Sequence, residues 1–387
     1  MFFEDYDDAA LRKQLSGNRF LVRYRLWGDR ETARSKAADI CAEQTVEFPL
    51  SLLPPGAIAE AVVGRLEGFE REEGADSYAA TISFAEEIAA GELTQFLNVI
   101  FGNISLKQGV QVTAIQAGER FLEQWGGPRF GIAGIRQRLG VPVRPPLFTA
   151  LKPLGLSAKN LAVLAGQFAQ GGINIIKDDH GLTDQVFAPF EERVARCAAA
   201  VREVNEKQGS RAIYAPNVTA PAERVFERAL LAKKLGAGAL LLSPGLAGWD
   251  AVRRLACPEI DLPLIVHPAF IGSYAINAQG ITYGPLFGTL TRIAGADATI
   301  FPNAGGRFPF SAEDCAAITR ASKEKLGRLP PIFPSPAGGM ELKNIKEMIR
   351  RYGTDVLILI GGGLFSLGPD IIGNCRRFLE EIEAGFA

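Results

Sequence analysis

The chain has 387 residues, of which 47% are hydrophobic and 22% charged; this composition belongs to a globular protein with a sizeable core, not to a disordered or fibrous one. Forty-two basic residues against 43 acidic ones give a formal net charge of −1, a balance that gives no sign of steering toward nucleic acid or an anionic membrane. At roughly 100–200 residues per domain, the length suggests one large or two ordinary domains.

The N-terminus, "MFFEDYDDAALRK", is acidic and lacks the basic-then-apolar layout of a signal peptide. "RFLVRYRLWG" (19–28) alternates like a strand, and "ETARSKAADICAEQ" (31–44) reads as a helix. "SYAATISFA" (77–85) is a second strand and "GELTQFLNVIFGN" (91–103) a second helix. Residues 1–135 are therefore expected to form a small α+β domain of ferredoxin-like type, a sheet with helices on one side. "LEQWGGPRFGIAGIRQRLGVPVRPP" (122–146), rich in Gly and Pro, reads as the connector.

From there a second rhythm begins. Short apolar runs recur: "LFTALK" (147–152), "INIIK" (173–177), "AIYAP" (212–216), "ALLLS" (239–243), "PLIVH" (263–267), "ATIFP" (298–302), "PIFPS" (331–335) and "VLILI" (356–360). Such runs suit strands covered on both faces. Between them lie helical stretches with start and stop signals: Ser157 with Gly171, Pro221 with Gly236, and Ser311 three residues before an acid. Eight strand–helix repeats predict an α/β fold in which residues 136–387 form a (β/α)8 TIM barrel. A doubly wound open sheet is the runner-up, but it needs one dominant phosphate-binding turn after the first strand. No apolar run approaches the roughly 20 residues that span a bilayer. Five scattered cysteines, none in a CxxC pair, point to a reducing compartment, hence the cytoplasm.

Barrels of this kind carry chemistry at the C-terminal ends of their strands. Those ends hold Lys152, Lys177 with Asp179 and His180, Asn217 with Thr219, Ser243, His267, Asn303 with Arg307, and the glycines 338–339 and 361–363. Both histidines of the chain are among them. Alternation puts Lys177 and Asp179 on one face of their strand and Asp178 on the other. A lysine ammonium has no lone pair for a metal, so this cluster binds a cation only if Lys177 is modified, for instance as a carbamate. A plain Lys177–Asp179 ion pair is the equal alternative. The glycine turns in "SPAGGMELKNI" (335–345) and "LIGGGLFSLG" (359–368) suit a phosphate. "FPNAGGRFPF" (301–310) suits a loop that closes over an anion with Arg307 near its tip.

Together these residues resemble the large-subunit family of ribulose-1,5-bisphosphate carboxylase/oxygenase, rubisco. "GGINIIKDDHG" is similar to its metal-binding segment and "LKPLGLSAKN" to the segment of its first catalytic lysine, one residue shorter than usual. "ICAEQTVE" (40–47) and "VIFGNISL" (99–106) resemble N-domain segments that complete a partner subunit's site. The resemblance implies Mg2+, or Mn2+, held by Asp179, His180 and a carbamate made from CO2 on Lys177. It implies catalytic roles for Lys152, Lys177, His267 and Arg307, and substrate or phosphate contacts from Asn217, Gly338, Gly339, Gly361 and Gly362. In the implied homodimer the active site is shared, with Glu43 and Asn103 reaching over from the neighbouring subunit.

Three departures narrow the function. His180 stands where the family has a glutamate. Arg307 replaces a loop lysine. Pro268, Ile300 and Ala337 fall where a second phosphate would be bound, and an unmatched dianion there faces a large desolvation penalty. The resemblance therefore implies a rubisco-like protein that does not fix CO2 and acts on a small monophosphorylated substrate. The first-ranked expectation is a decarboxylase or hydrolase of 3-oxo-isoapionate 4-phosphate, a phosphorylated sugar acid of apiose breakdown. The alternatives are an enolase or isomerase of a methylthio-pentose 1-phosphate in methionine salvage, and a non-catalytic binding protein.

Overall fold

The protein is described by a computed structural model that covers residues 5–275 and 279–385. The chain divides into two compact units. The first comprises Met1–Trp125, Gly272–Thr289 and Leu326–Arg328; the second comprises Gly126–Ile271, Leu290–Lys325 and Leu329–Ala387.

In the first unit, β1 (Arg19–Trp27), β2 (Arg65–Arg71), β3 (Ser77–Ala85) and β4 (Val110–Gln116) pair antiparallel in the order β4-β1-β3-β2. Helix Arg30–Glu43 links β1 to β2, and helix Leu93–Phe101 lies between β3 and β4. This β-α-β-β-α-β order is the expected ferredoxin-like arrangement. Alternate residues of β1, Phe20, Val22, Tyr24 and Leu26, are buried. Phe20 meets Phe96 and Phe121, each at 5.1 Å between ring centroids. β2 escaped the sequence reading because it is a mostly exposed edge strand whose register shifts between Leu66 and Gly68.

In the second unit, β5 (Leu147–Leu151), β6 (Ile175–Asp178), β7 (Ile213–Ala215), β8 (Leu240–Leu242) and β9 (Leu264–Val266) alternate with helices. The chain then adds β10 (Gly280–Ile281), parallel to β4 in the first unit's sheet. It completes the second sheet with β11 (Ala298–Pro302), β12 (Phe333–Ala337) and β13 (Ile358–Ile360). The order is β7-β6-β5-β13-β12-β11-β9-β8, parallel throughout. The two end strands meet through the Asn217–Leu241 bridge: Leu241 N–H donates to Pro216 O and Val218 N–H to Leu241 O, each at 2.9 Å. The eight strands thus close into the predicted barrel. Among the described residues no helix is long and apolar enough to cross a membrane.

The inward residues Phe148, Ile175, Leu241, Ile265, Ile300, Phe333 and Leu359 form the barrel core. Ile132, Ile135 and Leu139 of helix Gly131–Leu139 join it. The expected connector is therefore in large part a core element, and the first unit's initial segment ends at Trp125 rather than at residue 135. Gly131 explains why composition misled. Its φ is +55°, and a Cβ there would lie 2.7 Å from Pro331 O, so the helix needs the glycine that reads as a loop signal.

Buried Asp297 locks this helix in place. Its Oδ1 accepts from the Phe130 and Gly131 N–H groups, both at 2.7 Å, and its Oδ2 accepts from Leu264 N–H at 2.9 Å. Burial raises the carboxyl to about 6 against the pull of these three donors, which leaves it ionised at neutral pH. Asp297→Asn would turn an amide N–H toward Leu264 N–H. Leaving that buried donor unmatched costs about 1–3 kcal/mol. A urea titration should show a lower unfolding midpoint with an unchanged slope.

Candidate active site

β6 delivers its residues as alternation requires. Ile175 lies in the barrel core, so Lys177 and Asp179 continue the inward row and Asp178 turns outward. Asp178 is wholly buried. It accepts from Tyr214 Oη–H at 2.6 Å, Arg193 Nε–H at 3.2 Å and Asn217 N–H at 3.0 Å. Burial raises its carboxyl, while the Arg193 charge and these donors draw it back. Arg193, also wholly buried, donates further to Ala188 O at 2.6 Å and Thr183 O at 2.7 Å. The segment after β6 is thereby tied to helix Phe190–Gln208. Asn217 ties it again, donating from Nδ2 to His180 O and Leu182 O, both at 2.9 Å. Its Oδ1 accepts from Thr219 N–H and Oγ1–H, so Asn217 holds the loop that carries His180.

On the inner side, Asp179 is the shared partner of its neighbours. Lys152 Nζ lies 3.2 Å from its Oδ1 and His180 Nδ1 lies 3.4 Å away. Burial works to raise the Asp179 carboxyl, but the His180 hydrogen bond and the charges of Lys152 and Lys177 hold it well below the usual carboxylate range. The ion pair expected of Lys177 is thus made by Lys152. Lys177 is 2% exposed and donates to the Asp178 carbonyl at 3.0 Å. Burial pushes its ammonium down to about 8, partly opposed by Asp179. His180 does turn inward: its ring stacks on His267, with centroids 4.4 Å apart and planes 6° apart. His267 Nδ1 accepts from Ala269 N–H at 3.1 Å, so in the neutral ring the proton sits on Nε2. Burial, then the Lys177 charge, keep that imidazole neutral.

The remaining expected residues are dispersed. Arg307 is exposed, with its guanidinium 5.7 Å from the Phe308 ring centroid. Asn303 accepts from Tyr352 Oη–H at 2.6 Å and anchors the base of that loop. Gly338 and Gly339 have φ of +89° and +70°, the left-handed region that favours glycine. Around Gly338, Gly361 and Gly362 no atom other than those of the glycine and its chain neighbours lies within 4 Å of where a Cβ would stand. Ile300 is in the core, while Pro268 and Ala337 are partly buried. In the first unit, Asn103 Nδ2 donates to Glu43 Oε1 at 3.1 Å and is 3.4 Å from Glu47 Oε1. Among the described residues no three His, Cys, Asp or Glu side chains form a metal-holding group.

The sequence reading passed over Arg193. Its signal was an arginine on the buried face of a helix, beside Phe190, Val194, Cys197 and Val201.

The closed parallel barrel thus carries a lysine after β5, and a lysine, a carboxylate and an imidazole at β6, on the segments whose sequence resembles the rubisco large-chain family. The family described as ribulose bisphosphate carboxylase large chain, catalytic domain, matches residues 131–307. Ribulose bisphosphate carboxylase-like protein 1 of Rhodopseudomonas palustris is 36% identical over 364 residues, covering 94% of this chain and 97% of that protein. 5-methylthioribulose-1-phosphate isomerase of Rhodospirillum rubrum is 36% identical over 366 residues, covering 94% and 96%. The crystal structure of a rubisco-like protein from Rhodopseudomonas palustris superposes with a TM-score of 0.86 at 36% identity, over 95% of this chain and 98% of that one. The chain belongs to the ribulose bisphosphate carboxylase large-chain family, among its rubisco-like proteins.

Arg193→Met should strand the Asp178 charge in the interior. Breaking one partner of a buried pair costs about 3–5 kcal/mol. Denaturant unfolding should show that loss, and limited proteolysis should cut within residues 183–188. Adding Asp178→Asn should recover part of the stability.

Proposed function

We propose that this protein is an enolising isomerase that moves a proton between neighbouring carbons of a monophosphorylated ketose, with 5-methylthioribulose 1-phosphate as the best-supported substrate. The observation that carries the reading is the asymmetry of the barrel mouth. Lys152, Asp179, His180 and Lys177 cluster on one side, open glycine turns follow β12 and β13, and the positions of a second phosphate hold Pro268, Ile300 and Ala337. One phosphate and a neutral tail fit this arrangement; a bisphosphate does not. The relative named as an isomerase of such a compound moves this reading ahead of decarboxylation or cleavage of 3-oxo-isoapionate 4-phosphate, which the sequence ranked first. The sugar acid keeps second place because Arg307 suits a substrate carboxylate.

In this reading Lys152 is the proton carrier, held by Asp179 until substrate arrives. His267 donates from Nε2 to a substrate oxygen. Backbone N–H groups at Gly338, Gly339, Gly361 and Gly362 take the phosphate, and the Arg307 loop covers it. The protein works as a homodimer in which the Glu43–Asn103 pair of one subunit completes the other's site.

The donor set fits a divalent metal on one condition. Asp179 and His180 supply a carboxylate oxygen and an imidazole nitrogen, and Lys177 becomes a ligand only as a carbamate. We assign the three to Mg2+; the imidazole also admits Mn2+. When bound, such an ion polarises a substrate oxygen as a Lewis acid.

With Mg2+ and bicarbonate, the purified protein should isomerise 5-methylthioribulose 1-phosphate, followed by NMR. It should release no CO2 from 3-oxo-isoapionate 4-phosphate. The opposite pattern would reverse the ranking, and Lys177→Ala should abolish turnover.

A second test isolates Lys177. Only the neutral amine reacts with CO2, so with an ammonium that ionises near 8 the reaction should speed up about tenfold per pH unit below that point and level off above it. The 13C carbamate signal from labelled CO2 reports the rate, and Lys177→Ala should lack it.

A further inference from the structure

Ser243 directly follows β8 and precedes the short helix Pro244–Ala247. A serine at a helix start ordinarily turns its hydroxyl to the free backbone N–H groups there. This one makes no such bond. The residue is 1% exposed, yet Oγ has no hydrogen-bond partner. Buried polar atoms are rarely left so.

The direction of the side chain follows from the strand. Ala239 and Leu241 belong to the barrel core, so Ser243, two residues on, faces the barrel axis at its C-terminal mouth. On neighbouring β9, Ile265 faces in and His267 is again two residues on. His267 N–H donates to Leu242 O at 2.8 Å, which sets Ser243 and His267 side by side. Ser243 N–H is fixed to Thr219 Oγ1 at 3.0 Å, and that hydroxyl already donates to Asn217 Oδ1 at 2.7 Å. The Ser243 hydroxyl is therefore held in place with nothing to bond.

Its position in the ring of strands says what it could bond. In the closed order β8 stands four strands from β13 in either direction, diametrically across from Gly361. The segments that follow β8 and β9, residues 244–249 and 268–275, hold no Lys, Arg, Asp or Glu. They bring no counter-charge of their own to an anion, whereas a neutral oxygen finds a hydroxyl and an imidazole N–H together.

We infer that Ser243 is a substrate-positioning residue: its hydroxyl, beside Nε2–H of His267, hydrogen-bonds a neutral hydroxyl or keto oxygen on the substrate's carbon chain, at the end away from the phosphate. The inference deepens the proposed function and rests on its placement of the phosphate at the glycine turns.

The test is Ser243→Ala in the full chain, titrated calorimetrically with 5-methylthioribulose 1-phosphate and separately with inorganic phosphate. The ketose phosphate should bind about 10-fold or more weakly to the variant, inorganic phosphate should bind equally to both proteins, and the melting temperature should not fall. Ser243→Thr should restore part of the lost affinity. Equal ketose affinity in wild type and variant would overturn the inference. So would a lower melting temperature with parallel loss of both ligands, or a wild type that binds the ketose phosphate no more tightly than inorganic phosphate. Ser243-dependent binding without any isomerisation would sustain the role of Ser243 and sink the proposed reaction.

Discussion

The site depends on the buried pair between Asp178 and Arg193. β6 must send Lys177 and Asp179 into the barrel, and alternation then forces Asp178 out into the layer between strands and helices. A carboxylate in that layer needs a counter-charge and donors. Arg193, Tyr214 and the Asn217 amide supply them. Arg193 has further N–H groups, and they bind the carbonyls of Thr183 and Ala188. The same interaction that makes the outward charge tolerable therefore fixes the chain that carries His180. Desolvation cancels much of the Coulombic gain of such a pair, so its larger effect is on geometry: it selects one path for the segment after β6.

The two ends of the barrel treat buried charge differently. Near the N-terminal ends of the strands, the buried charges of Asp297 and Arg292 are satisfied by backbone alone. Asp297 takes three N–H groups, and Arg292 donates to the carbonyls of Ala321, Glu324, Leu329 and Pro330. Such bonds tie segments together and leave nothing over. At the C-terminal ends, charged side chains face one another, and Ser243 Oγ is left without a partner. In this fold family the first end carries stability and the second chemistry, and the bonding of Asp297, Arg292 and Ser243 agrees with that division.

Much of this was legible in the sequence because two periodicities are strong. The eight apolar runs announced strands covered on both faces, and Ser157 and Ser311 were found as caps, the latter in a complete capping box with Asp314. What was not legible depends on tertiary partners. Helix Gly131–Leu139 hides in a Gly/Pro-rich stretch because Gly131 must sit against Pro331. The Lys177–Asp179 ion pair, one of two alternatives that spacing along the strand left open, is replaced by one with Lys152, a cation from the neighbouring strand. Register between β5 and β6, where Leu151 pairs with Asp178, puts Lys152 beside Asp179, and no local pattern encodes that register.

That register also separates two lysines that look equivalent in sequence. Lys152 has a side chain 41% exposed and an ion pair; Lys177 is 2% exposed and holds only a backbone carbonyl. One carboxylate serves both, and it sits close to the exposed amine. Environments that push like groups apart are how a single fold assigns different roles to them. In the proposed function the exposed, paired amine is the one assigned to proton exchange with a substrate, and the buried amine, lowered to about 8, is the one assigned to reaction with CO2. A glutamate in place of His180 would add a second negative charge near Lys177 and favour its protonated form. An imidazole brings no negative charge, so the histidine at position 180 and the lowered ammonium of Lys177 belong to the same electrostatic arrangement.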